Sequence, residues 1–369
     1  MAGFAGILGA KRFEQEGTSE LARMVQRLVH EPHHSVDSVA SHSLGMGAGW
    51  VRDGNAGGAV QAWNSGRDIA LVLVGEQFGD AASGNGNLPV GSENAALQIR
   101  AYEKKGLKFL EDLNGWFSGL VIDLREEKAV LFNDRYGLSR VYYHEAPDGF
   151  FFSSEAKSLL AVLPPLRRID QRGLAEVFSV GCVLQNRSLF QDVSLLPGGS
   201  MWTFHRDGRV EKQRYFDPAT WEEQEKLDPA TYAERLTEVF ARVAPRYLRN
   251  DQPVGMSLTG GLDSRMILAW AKASPESLPC YTFGGPYRDC ADVRIARRLA
   301  SIARQPHNTI RIEKDFFRDF PALAEKTIYL TDGAMDVSGA VELYVNRQAK
   351  EIAPIRLTGN YGSEILRSN

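Results

Sequence analysis

The chain has 369 residues, 43% of them hydrophobic and 24% charged, which is the mix of a soluble globular protein and more chain than one ordinary core needs. A formal charge of -3 and a pI near 6.2 exclude a nucleic-acid-binding surface of the usual basic kind, and no apolar run is long enough to span a bilayer. Three scattered cysteines, Cys182, Cys280 and Cys290, form no CxxC pair and exclude a disulfide framework, a zinc site or a dithiol centre. The apolar start, Met1 to Gly9, lacks a basic leader and breaks at Lys11-Arg12, so it reads as a strand. A cytoplasmic, two-domain protein is expected.

In chain order, the first half is built of short strand-like runs punctuated by glycine. Ile69 to Val74 is an apolar run stopped by Gly75. Phe117 to Leu124 and Ala129 to Asn133 predict a hairpin across Arg125-Glu126-Glu127-Lys128, and Val141 to Tyr143 with Phe150 to Ser153 predict a second. Helical periodicity covers Glu93 to Lys104, Ser153 to Val162 and Gln171 to Phe178. Paired strands with a few helices predict a layered α+β domain over residues 1–216. His30, His33 and His34 are broken by Pro32 and read as a solvated loop, not a metal cluster.

A polar, proline-containing stretch over 217–229 reads as a linker, and the style then changes. Thr231 to Leu248 predicts an amphipathic helix. After it, Pro253 to Leu258, Pro279 to Phe283 and Asn308 to Ile312 read as strands, alternating with the helical patterns Leu262 to Ala273 and Asp289 to Ala303. This alternation over 230–369 predicts a doubly wound parallel sheet, which binds ligands at the carboxyl ends of its strands. Arg294, Arg297 and Arg298 fall on one solvated helix face, without a phosphate role.

One strand, Val254 to Leu258, runs into Thr259-Gly260-Gly261-Leu262-Asp263-Ser264 and then a helix. Glycines let backbone N–H groups close on phosphate oxygens, Ser264 adds a hydroxyl, and the helix start adds its dipole. Asp263 supplies a hard oxygen for Mg²⁺. No Gly-Lys-Ser/Thr follows, so the loop is not a Walker A motif.

This loop resembles the pyrophosphate loop of ATP pyrophosphatases, with Thr259 in place of a serine, and Leu258 to Ser264 is most similar to asparagine synthetases. Leu113 to Ser118, Asn133 to Tyr143, Ser153 to Leu159 and Leu196 to Gly199 resemble the glutaminase domain of the same family. The resemblance implies an N-terminal Ntn-hydrolase-like αββα sandwich followed by the synthetase domain. It also implies ATP and Mg²⁺, a carboxylate activated as an acyl-adenylate, and an amine or ammonia that completes the amide. Phe283 and Gly284 would line the nucleotide site. Thr358 to Ile365 resembles the family's second loop, with Gly359, Gly362 and Ser363 at the pyrophosphate and Glu364 as a metal carboxylate where aspartate is usual. Tyr361 stands where asparagine-forming members have glutamate, as in β-lactam synthetases, and Asn360 reads as an insertion. The catalytic set implied is Asp263, Glu364 and Tyr361. The family continues beyond the equivalent of Asn369 through a region that holds a lysine, so the synthetase domain is expected to be incomplete at its C-terminus.

The glutaminase constellation departs from the family pattern. Ala2 replaces the nucleophilic cysteine, Val74-Gly75-Glu76 replaces Asn-Gly-Glu, Ser92-Glu93 replaces Ser-Asp, and no carboxylate-binding arginine stands around Gly47 to Trp50. A ligase that takes ammonia or an amine is therefore expected, acting on a small-molecule or peptide carboxylate, with no nucleic-acid or membrane partner; a homodimer is compatible. An inactive assembly subunit is the alternative reading.

Overall fold

The computed structural model describes residues 3–9, 13, 17–53, 59–78, 92–248 and 252–360. The chain divides into two units, Met1–Gln224 and Glu225–Asn369.

The N-terminal unit runs β1 (Phe4–Leu8), α1 (Thr18–Gln26), β2 (His34–Ser41), β3 (Met46–Asp53), β4 (Ala59–Trp63), β5 (Ile69–Gln77), α2 (Ser92–Lys105), β6 (Gly115–Asp123), β7 (Lys128–Asn133), β8 (Tyr142–Ala146) and β9 (Gly149–Ser153). It continues with α3 (Ala156–Val162), α4 (Gln171–Val180), β10 (Ser194–Leu195), β11 (Ser200–His205), β12 (Val210–Arg214) and α5 (Ala219–Glu222). Two six-stranded sheets form, in the orders β10-β8-β9-β1-β3-β2 and β12-β11-β7-β6-β5-β4.

Strand alternation sorts the side chains into layers. In β5, Ala70, Val72 and Val74 face the other sheet and meet Phe4, Trp50 and Phe152, while Ile69, Leu71 and Leu73 face Ala95, Ile99 and Tyr102 of α2. On the outside of the first sheet, Ala5, Ile7 and Phe151 pack against Leu21, Met24 and Val25 of α1 and Ala156 and Leu159 of α3. Because both faces of β5 are covered, its sequence reads as an unbroken apolar run. The result is an αββα sandwich, as expected from the resemblance. The segment expected as a linker holds α5, whose first amide, at Ala219, donates to Asp217 Oδ1, and the first residue of the next helix.

The second unit runs α6 (Pro229–Val243), β13 (Val254–Ser257), α7 (Leu262–Ala271), β14 (Cys280–Gly284), α8 (Ala291–Ile302), β15 (His307–Arg311), α9 (Lys314–Thr331), α10 (Gly339–Ile352) and β16 (Ile355–Leu357). Asp228 caps α6 by accepting hydrogen bonds from the Ala230 and Thr231 amides, with Pro229 at the first helical position. All paired strands here are parallel, in the order β15-β14-β13-β16. Val254, Met256, Leu258 and Cys280 meet Ala271 of α7 and Ala296 and Ala300 of α8 on one face. Tyr281 and Ile310 meet Phe316 and Ala324 of α9 and Tyr344 and Val345 of α10 on the other. Helices cover both faces, so the sheet is doubly wound. The chain moves outward from β13 through β14 to β15, then returns to place β16 on β13's other side. The strand order therefore reverses between β13 and β16, and such a reversal opens a crevice at the carboxyl ends.

Candidate nucleotide-binding site

The loops after β13 and β16 both leave the sheet at this reversal. Leu258 is buried, and its amide donates to the Tyr281 carbonyl at 2.9 Å, so the strand pairing holds up to the loop. Beneath it the Thr282 hydroxyl donates to the Leu258 carbonyl at 2.5 Å and lies 2.9 Å from His307 Nε2. Burial first, and the Arg297 charge second, lower the His307 pKa, which keeps this ring neutral beneath the loop.

The loop braces itself. The Thr259 amide donates to Ser264 Oγ at 3.2 Å, and the Gly261 amide donates to Thr259 Oγ1 at 3.2 Å. Ser264 Oγ also lies 3.1 Å from the Thr259 carbonyl, and the residue is only 4% exposed. The Gly260 amide donates to Asp292 Oδ1 at 2.9 Å, across from α8. In this conformation the glycine amides and the Ser264 hydroxyl, expected to face a phosphate, each have a partner within the protein. The donors left by geometry are the first-turn amides of α7, at Leu262, Asp263 and Ser264, which have no acceptor within a helix capped at Gly261. They carry the positive end of the helix dipole, the arrangement that suits an anion.

Asp263 sits half-exposed in this first turn, with no ion pair among the described residues. A hard carboxylate oxygen beside an anion site fits a Mg²⁺ ion. The second loop touches the same turn. A Cβ at Gly359 would lie 2.9 Å from the Ser264 amide nitrogen and 3.1 Å from Asp263 Cβ, so only a glycine lets this loop approach. Phe283, 36% exposed, is the last but one residue of β14 and lies two residues past the Ser257–Tyr281 pair, as Thr259 does in the loop after β13. Gly284 follows, with no room for a Cβ beside Val293 of α8. The structure thus brings together Leu258, Thr259, Gly260, Gly261, Asp263, Ser264 and Gly359. Tyr361, Gly362, Ser363 and Glu364 lie outside the described residues.

Of the positions expected to be altered in the glutaminase site, Ala2 also lies outside the described residues. Val74 is buried and pairs with Ser118 on β6 and Ala59 on β4. Gly75 has φ +109°, and a Cβ there would collide with the Trp116 carbonyl and sit 2.9 Å from Phe117 Cα. Glu76 is half-buried, and burial raises its pKa despite a hydrogen bond from Trp116. Glu93 is exposed on the first turn of α2.

Two side chains escaped the sequence reading. Asp292 looks like any first-turn acid of a helix, and only its contact with Gly260, 32 residues away, sets it apart. His30 is not solvated as expected: its Nε2 lies 2.8 Å from Glu155 Oε1, and its side chain is 10% exposed. No group of three metal-binding side chains occurs among the described residues, and no described helix is long and apolar enough to cross a membrane.

Comparison with known proteins agrees with both halves of the molecule. Residues 84–216 match the glutamine amidotransferase domain model, and residues 235–367 match the asparagine synthase model. The chain belongs to the asparagine synthetase family. It is similar to "Asparagine synthetase [glutamine-hydrolyzing] 1" of Bacillus subtilis (strain 168), with 23% identity over 99% of this chain and 58% of that protein. A putative asparagine synthetase [glutamine-hydrolyzing] 2 of Methanocaldococcus jannaschii is 24% identical over 73% of this chain and 52% of its own length. The chain therefore spans a little over half the length of these two family members. Among solved structures it is similar to a glutamine phosphoribosylpyrophosphate amidotransferase from B. subtilis, with 13% identity, 83% of this chain, 65% of that chain and a TM-score of 0.37.

Proposed function

We propose that this chain carries the ATP site of an AMP-forming carbon–nitrogen ligase of the asparagine synthetase family. The observation that carries the reading is the Thr259–Ser264 loop at the strand-order reversal, with Gly359 packed against the first turn of α7. The α7 amides of Leu262, Asp263 and Ser264 would hold the β- and γ-phosphates as the pyrophosphate that leaves. Asp263, joined by Glu364 from the second loop, would hold Mg²⁺, which offsets the charge of the polyphosphate. Phe283 and Gly284 would line the nucleotide side, with Gly362 and Ser363 completing the pyrophosphate cradle and Tyr361 near the acyl group.

A substrate carboxylate oxygen would attack the α-phosphorus as the bond to pyrophosphate breaks, giving an acyl-adenylate. An amine nitrogen would then attack the acyl carbon, expel AMP and lose a proton to form the amide. What the protein contributes is alignment of the two reactants and donors fixed where charge collects.

The nitrogen source would be ammonia or an amine on the substrate. Support comes from position 74, where a valine side chain lies in the core between the sheets and offers no amide to an oxyanion, and from Ala2, which carries no thiol. The residues 1–216 would then serve as a structural domain, with 217–229 leading into the ligase domain.

The test is pyrophosphate release from ATP and Mg²⁺ by the longest version of the protein that can be prepared, across candidate carboxylic acids that include aspartate. Release with ammonia or simple amines, and none with glutamine, is the expected result. Glutamine-driven release would overturn the loss of the glutaminase. No release and no ATP binding would favour an inactive assembly subunit.

A further inference from the structure

We propose that Asp292 is a positioning residue that braces the nucleotide loop from outside it; this rests on the reading of that loop as the pyrophosphate site. Accounting for the loop amides leads to it. Thr259 and Gly261 donate to side chains within the loop itself, Ser264 Oγ and Thr259 Oγ1. Gly260 alone of the three reaches a distant element, donating to Asp292 Oδ1 at 2.9 Å.

The side chains of α8 approach position 260 closely. A Cβ there would lie 2.9 Å from Asp292 Oδ1 and 3.1 Å from Ile295 Cδ1. The backbone at Gly260 does not have a positive φ, so what favours glycine there is the space beside α8 and not the backbone conformation. Asp292 is also the acid left uncommitted in its neighbourhood. Asp289 takes Arg297 at 2.8 Å and Arg311 as well, whereas Asp292 has no ion pair among the described residues. Its helix is a firm base, because Val293, Ala296 and Ala300 are fully buried.

A loop with two adjacent glycines has more backbone freedom to lose than any other, so each tether lowers the cost of ordering it around an anion. An ionised carboxylate is a stronger acceptor than a neutral oxygen, and at the first turn of α8 the helix dipole favours its charge. The same negative charge repels a phosphate from the Gly260 side and leaves the α7 side as the open approach. Asp292 thus holds the loop in shape without touching the ligand.

The experiment uses the whole chain and two variants, Asp292→Ala and Asp292→Asn. Binding of pyrophosphate and of ATP with Mg²⁺ is measured by calorimetry, and hydrogen exchange is followed at the Gly260 amide. Asp292→Ala should weaken pyrophosphate binding about threefold to tenfold and speed exchange at Gly260, with the melting temperature unchanged. Asp292→Asn keeps an oxygen acceptor without the charge and should recover part of the loss in both readouts. Tighter binding by Asp292→Ala would overturn the proposal, because the carboxylate would then be competing with the ligand. Equal loss in Asp292→Asn would overturn it too, because an oxygen acceptor in the same place would then give no bracing at all. If the wild type binds neither ligand, the reading of the loop as a nucleotide site falls, and Gly260 exchange in the variants still decides whether Asp292 braces it.

Discussion

Gly75 in the sandwich unit and Gly260 in the parallel-sheet unit both lack room for a Cβ, but what crowds them differs in kind. At Gly75 the neighbour is backbone, the Trp116 carbonyl on the paired strand β6, and φ is +109°. Gly115 across the same pair answers it, with φ +147° and its own approach to the Glu76 carbonyl. At Gly260 the neighbours are side chains, the Asp292 carboxylate and Ile295, and the loop around it is held by hydrogen bonds from hydroxyls. One glycine serves the joining of two strands; the other serves the shape of a loop beside a helix start. Position 74 holds a core valine while Gly75 beside it retains a backbone role that no other residue can fill.

That contrast can be broken or sharpened by substitution. The largest effect is expected from Asp263→Ala, which should lower ATP-dependent pyrophosphate release by about 100-fold or more if Asp263 holds Mg²⁺ as proposed, since such a loss removes several kcal/mol of charge stabilisation. Its half-exposed position predicts an unchanged melting temperature; a large drop in melting temperature would make Asp263 a structural residue. Gly75→Ala should cost about 2–4 kcal/mol in denaturant unfolding, through the strained φ and the collision with Trp116. A neutral outcome would show that the β5–β6 join is not what fixes this glycine. Bound pyrophosphate per folded molecule should be unaffected in that variant.

The smallest effect is a pH dependence in the sandwich. Asp123 is fully buried; that burial alone would raise its pKa, but hydrogen bonds from Arg125, Tyr102 and the Glu126 amide outweigh it and hold the pKa below the usual value. A depressed pKa means stability that is complete above the ordinary carboxylate range and is lost as pH falls through the lowered value. Asp123→Asn should therefore destabilise the protein by about 1–2 kcal/mol at neutral pH, and the gap should close on acidification. A gap that stays constant with pH would show that the carboxylate's charge is not what Arg125 and Tyr102 recognise.

Most strands and several helices were legible because their side chains alternate or repeat at the right period. The run Ile69–Val74 was readable as a strand, yet which of its residues face α2 and which face the other sheet depended on both faces being covered. The helices α9 and α10 were not anticipated. Pro321 lies inside α9, where a sequence reading expects a break, and the helix continues because Phe316 and Ala324 are buried against the sheet. The segment 217–229 read as a linker, but it contributes α5, whose Trp221 packs edge-to-face with Tyr136 and Phe216 at ring distances of 5.8 and 5.4 Å.

The sequence by itself determined the two-part plan, the position of the Thr259–Ser264 loop between a strand and a helix, and the residues that depart from the glutaminase pattern. These are properties of local order: a strand, two glycines, an acid and a hydroxyl in fixed succession carry their meaning wherever the chain goes. Only the tertiary structure decided which hydrogen-bond donors in the loop are free. The Thr259 and Gly261 amides turn to hydroxyls nearby, the Gly260 amide turns to Asp292, and Gly359 lies against Asp263 and Ser264. Such pairings depend on how α8 and β16 pack beside β13, and sequence spacing does not encode a contact across 32 residues or across the 96 that separate Asp263 from Gly359.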